Sequence, residues 1–143
     1  MKNFACFLFA LAAIAIFYHD ARATCGEPGK VELRQGMKVI APLAGPNWQV
    51  SKVDKISKNN ITVKDSEGGL GSMKPGEVVA HPDVLYKGGT YPCFKSGDKV
   101  IAKAQGDIWR VATVSKVDDD KIEVRFMDKS KKTLKAKEIV RKP

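Results

Sequence analysis

Two tryptophans, Trp48 and Trp109, stand in the matching contexts Asn47-Trp48-Gln49-Val50 and Ile108-Trp109-Arg110-Val111. An indole grips a bulky cation by its ring face, and it is equally a large packing group. Little else in the chain could make or break bonds. His81 is the one histidine beyond residue 23, so neither a Ser-His-Asp nor a Cys-His set can be assembled. No CxxC, HExxH or HxH spacing occurs, which leaves no zinc site to propose. Asp118-Asp119-Asp120 lacks the spacing of an EF-hand and reads as a solvated turn. Gly68-Gly69-Leu70-Gly71 opens no helix and precedes no Gly-Lys-Ser or Gly-Lys-Thr, so it is not a phosphate loop. These residues point to binding without catalysis, and neither cofactor nor metal is expected.

The tryptophans belong to a duplication. Residues 36–82 align with residues 97–143 at a constant offset of 61 without a gap. Gly36, Lys38, Val39, Ile40, Ala41, Gly45, Trp48, Val50, Val53, Ile61, Val63, Glu77, Val79 and Pro82 all recur as the same residue type. A fixed period of this size means two copies of one supersecondary unit. Each copy offers short runs rich in Val, Ile and Thr that alternate with period two, which predicts strands. In the second copy these are 99–103, 109–117, 121–127 and 133–136, separated by Gln105-Gly106-Asp107, Asp118-Asp119-Asp120 and Asp128-Lys129-Ser130. Gly45-Pro46-Asn47, Lys58-Asn59-Asn60 and Ser66-Glu67-Gly68-Gly69 punctuate the first copy in the same places, as turn residues do. No 3.6-residue period is sustained. Single helical turns at Pro75-Gly76-Glu77 and Ala136-Lys137-Glu138 would precede a last short strand. Five short strands in so few residues make a small barrel, and closure would remove the exposed edges.

The flanking segments carry their own signals. After Lys2 the chain is uncharged from Phe4 to Phe17, and Ala21-Arg22-Ala23 follows as a small-x-small site. That is the layout of a cleavable secretory leader over 1–23, with the exported chain starting at Thr24 and keeping no membrane span. The apolar run is short of the roughly 20 residues a spanning helix needs. Cys6 goes with the leader. Cys25 and Cys93 remain, and in an oxidising compartment they are expected to form one disulfide. It would tie the segment 24–35 to the linker 83–96, which also holds Val84, Leu85, Tyr86, Tyr91 and Phe94 and is expected to pack.

The chain carries a formal net charge of +9, unevenly spread. The first repeat is net +2 and the second net +5. Lys129, Lys131, Lys132, Lys135, Lys137 and Arg141 concentrate the excess late in the second copy. Such a pole suits an anionic partner, or serves only as a solvated face.

The order Gly97-Asp98-Lys99-Val100-Ile101-Ala102, then Trp109 with Ala112 and Val114, then Val124-x-Phe126-x-Asp128 resembles a Tudor domain or its plant Agenet relatives. The resemblance implies an all-β fold of two tandem five-stranded SH3-like barrels, covering 36–82 and 97–143. It implies that Ala112, Val114, Val100 and Ala102 face a barrel interior, which by strand alternation puts Trp109, Val111, Thr113 and Ile101 on the other face, with Trp48, Val50 and Ile40 matching them. Tudor domains use that tryptophan with aromatics of the third and fourth strands as a cage for a methylated cation. Carried over, Trp109 and Phe126 would be walls and Asp128 the acidic partner. Lys129 stands where a tyrosine often closes the cage, and Asp65 replaces the Phe126 aromatic in the first repeat.

Three readings follow. The first is an exported, non-enzymatic adaptor that recognises a peptide, a modified side chain or an envelope polymer through the Trp faces. The second is an electrostatic binder of nucleic acid or anionic polysaccharide through the basic second repeat. The third is a structural envelope protein whose repeats only pack on one another, which two buried indoles would favour; in every case a secreted or periplasmic location is expected.

Overall fold

A computed structural model describes residues 25–143; the expected leader and the start at Thr24 lie outside this range. The first repeat forms β1 (Lys38–Ala44), β2 (Asn47–Ile56), β3 (Ile61–Asp65), β4 (Leu70–Met73) and β5 (Val79–Ala80). A four-residue helix, α1 (Pro82–Leu85), begins the linker. The second repeat forms β6 (Lys99–Gln105), β7 (Ile108–Asp118), β8 (Lys121–Phe126), β9 (Lys131–Leu134) and β10 (Ile139–Arg141). Single 3₁₀ turns at Pro75–Glu77 and Ala136–Glu138 precede β5 and β10, where the sequence pattern places them.

The duplication extends to backbone detail. Gly45 and Gly106 turn β1 into β2 and β6 into β7 with φ of 57° and 55°, a region that side chains disfavour. Irregular register recurs between Val53 and Lys55 and between Val114 and Lys116. Such bulges bend a long strand, and here they let β2 and β7 each wrap a barrel. The amides of Gly36 and Gly97 donate to the carbonyls of Val53 and Val114, both at 2.8 Å. The equivalence begins upstream of these glycines. Leu33 packs on the first core and Phe94, 61 residues on, packs in the second. Residues 25–35 and the linker 83–96 thus each complete a barrel.

Each repeat has its own interior. Val39, Ala41, Val53, Ile61, Val63 and Val78 fill the first. Val100, Ala102, Ala112, Val114, Ile122, Val124, Phe126, Leu134 and Ile139 join Phe94 in the second. The fold is all-β with two tandem SH3-like units, as the sequence implies. Closure is different from expectation. Among the described residues β4 pairs only with β3 and β9 only with β8, so neither ring of strands is complete in backbone hydrogen bonds. The 3₁₀ turn before each last strand carries the chain across that gap. The repeats instead share one ten-stranded sheet, because β2 pairs antiparallel with β7 at Asn47↔Arg110, Trp48↔Trp109 and Gln49↔Ile108.

Candidate functional site

The strand parity expected from the sequence holds. Ile40, Trp48, Ile101, Trp109 and Val140 turn away from the barrel interiors and meet Tyr86 of the linker in a third apolar cluster, between the repeats. Trp48 and Trp109 lie opposite one another across β2 and β7. Only 9 % of Trp48 and 2 % of Trp109 is exposed. The linker covers this seam from outside. The Tyr86 hydroxyl donates to the Ile139 carbonyl at 2.8 Å, and its burial raises the phenol pKa far above the ordinary value. The His81 ring stands edge-on to Trp109 at 5.7 Å, and its Nδ1 accepts the Asp83 amide at 3.1 Å. Burial holds the His81 pKa below its usual value, with the Lys38 charge adding to the effect. Among the described residues the buried Trp109 Nε1 has no hydrogen-bond partner, a cost of about 1–3 kcal/mol that the packing of the seam must offset.

This placement corrects the cage. Trp109 belongs to the seam, whereas Phe126 pairs with Ala112 and lies in the second barrel interior, on the other face of the sheet. The two rings therefore do not form walls of one pocket. Phe126 and Asp128 already hold a cation of the chain itself. The Arg110 guanidinium sits 5.7 Å over the Phe126 ring, and its Nη1 lies 3.2 Å from Asp128. Ser130 donates to Asp128 from both its hydroxyl and its amide, and these bonds, followed by Arg110, keep the Asp128 carboxyl below the ordinary range.

The predicted basic patch divides into paired and free cations. Arg141 is held by Glu27 at 2.7 Å and Asp98 at 3.5 Å and lies over the Phe94 ring. Lys131 lies 3.7 Å from Glu123, whose carboxyl is held low by the Ser115 hydroxyl and then by Lys131. Lys132 Nζ donates to the carbonyls of Ala104 and Lys103. Lys135 and Lys137 are exposed beside the last 3₁₀ turn. Lys129 is different, because it lines a cleft on the outside of the second barrel together with Lys99, Arg125 and Lys142. Val111, Thr113 and Met127 form its apolar and hydroxyl-bearing part, and Met127 is 81 % exposed. The cleft measures about 560 Å³, and among the described residues no carboxylate lines it.

Strand register builds this cleft. Lys99 pairs with Thr113, and Thr113 pairs with Arg125, so the three lie in one row across β6, β7 and β8. The small Thr113 leaves the middle of the row open, and its hydroxyl accepts a 2.8 Å bond from Lys99 Nζ. Lys142 follows β10 beside Lys99, its amide 3.4 Å from the Lys99 carbonyl. A linear reading finds Lys129 through its local lysine run. Lys99 and Arg125 are 26 residues apart and become neighbours only through two strand pairings.

No protein-family model matches the chain, and no curated protein matches it. Among solved structures the chain is similar to AGDP1 AGD34 of Arabidopsis thaliana, at 15 % identity and a TM-score of 0.46, over 75 % of this chain and 80 % of that one. It is similar to tandem Agenet domain 3-4 of ADCP1, at 16 % identity and a TM-score of 0.44, over 75 % and 78 %. It is also similar to the four MBT repeats of Drosophila melanogaster Sfmbt, solved with a methylated-lysine peptide, at 16 % identity and a TM-score of 0.27, over 72 % of this chain and 35 % of that one.

Proposed function

We propose that this chain is an exported, non-catalytic binding module whose second barrel takes an acidic polysaccharide of the cell envelope or exterior in the cleft between Lys99, Arg125, Lys129 and Lys142. The observation that carries the reading is four cationic residues lining one open cleft that, among the described residues, no carboxylate lines. Charges so gathered raise the local concentration of a polyanion and speed its encounter. Export is supported by the leader pattern and by the Cys25–Cys93 bond, which suits an oxidising compartment.

Ring placement favours polysaccharide over nucleic acid. Among the described residues Trp48, Tyr86, Phe94, Trp109 and Phe126 are buried and Tyr91 is half-buried, so no ring is offered for the base stacking of a single-strand binder. The same burial of Trp48 and Trp109 favours the cleft over the Trp faces as the binding surface.

The test is calorimetric titration of the oxidised chain with heparin, a sulfated polysaccharide. Replacing Lys99→Glu together with Arg125→Glu should weaken binding by at least about tenfold, or 1.4 kcal/mol, while the melting curve stays cooperative. Unchanged affinity in a folded double variant would remove the cleft as the site.

A further inference from the structure

The first barrel carries a second cationic row on the same face of the shared sheet. Lys38 pairs with Lys52 across β1 and β2, and Lys52 pairs with Lys64 across β2 and β3. Three lysines thus stand side by side on successive strands, which lie about 4.8 Å apart. Like charges directly opposite one another destabilise a sheet, so the fold gains nothing from this arrangement. Lys52 and Lys64 are exposed, and Asp83 holds Lys38 at 3.0 Å. The row is the counterpart of the cleft: with the offset of 61, Lys38, Lys52 and Lys64 correspond to Lys99, Thr113 and Arg125. Where Thr113 opens a cleft in the second barrel, Lys52 fills the middle of the row in the first and makes a ridge.

The two rows are placed symmetrically. Lys52 and Thr113 each lie four residues beyond the Trp48↔Trp109 pair on strands that run in opposite directions. Both side chains share the sheet face of their tryptophan, since alternation is unbroken over these four residues. The rows therefore flank the seam, about 27 Å apart measured along the strands at the rise of an extended chain.

We infer that the Lys38-Lys52-Lys64 ridge is a second anion site, and that the molecule binds a long acidic polysaccharide bivalently, with one stretch in the cleft and another on the ridge. This rests on the polysaccharide reading of the cleft. Occupancy of one row makes capture by the other intramolecular, provided the polymer is long enough to span the seam. The seam fixes the spacing, because the two barrels share paired strands and a buried apolar cluster.

The experiment compares two probes on the oxidised chain: a heparin tetrasaccharide, too short to bridge the rows, and a long heparin fraction. The intact chain should take two tetrasaccharides, and Lys52→Glu with Lys64→Glu should reduce this to one. The same variant should lose about a hundredfold in affinity for the long fraction. Its melting temperature should change little, since an acid at position 52 faces Lys38 while the 52–64 pair stays like-charged. One tetrasaccharide per intact chain, with long-chain affinity unchanged in the variant, would overturn the second site and leave the cleft standing. If neither probe binds the intact chain, the cleft reading fails as well. Tighter binding of single-stranded DNA than of heparin would overturn the choice of polysaccharide.

Discussion

Trp109 is the side chain whose role changes most between sequence and fold. In isolation it reads as a packing group or as a cage wall; in place, with 2 % exposure and Trp48 across the strand, it packs. Trp109→Ala should therefore cost about 3–5 kcal/mol of stability, as removal of a buried indole does. Urea denaturation measures this. Heparin affinity of the molecules that remain folded should be unchanged, which separates packing from ligand contact. His81 makes a second residue-scale prediction. Its ring is neutral in the native state, with Nδ1 occupied as an acceptor and burial opposing the charged form. Its native pKa thus lies below the unfolded one near 6.5, and below that pH the unfolded chain binds more protons. Stability should be level above this value and fall as the pH drops through it toward the lowered native pKa. Melting temperatures between pH 8 and pH 5 check the sign, and His81→Gln should flatten the curve over that window, above the range where carboxylates titrate.

At the scale of elements, cross-strand register turns scattered lysines into rows. Lys52→Glu places an acid between Lys38 and Lys64, exchanging two like-charge pairs for two opposite-charge pairs. It should raise stability by about 0.2–1 kcal/mol, measurable by thermal or urea denaturation, while lowering polyanion affinity. A substitution that strengthens the fold and weakens binding marks a residue kept for its partner. Register also explains what the sequence reveals and what it conceals. Strand positions and turns are legible because alternation and turn chemistry are local, whereas the choice of Val100, Ala102, Ala112 and Val114 as the inward set comes from the family resemblance. The outward set Ile40, Trp48, Ile101 and Trp109 is legible as a face, but its cover is not. Pairing of β2 with β7 joins residues 61 apart, and only Trp48↔Trp109 tells that the face is internal. The cleft is concealed for the same reason, with Lys99 and Arg125 brought together by β7. Arg110 is missed because its position on Phe126 and Asp128 depends on the inner face of one strand meeting the end of another.

Over the whole molecule, two small interiors are held as one body by the shared sheet, the tryptophan seam and a covalent tie. Cys25 and Cys93 are joined across a sequence separation of 68. In the chain-entropy description a loop of that length stabilises by about 4 kcal/mol. Reduction should lower the denaturation midpoint accordingly, and it should release the segment whose Glu27 holds Arg141 and whose Leu33 completes the first core. With small cores of mostly Val and Ala, the molecule leans on this tie more than a larger domain would. The decisive measurement is heparin affinity in the oxidised chain at low and at moderate salt, with and without Lys99→Glu and Arg125→Glu. Binding is expected to weaken as salt screens the cleft and to fall by at least about tenfold in the folded double variant. Salt-insensitive binding, or full affinity in that variant, would contradict the polysaccharide reading of the cleft.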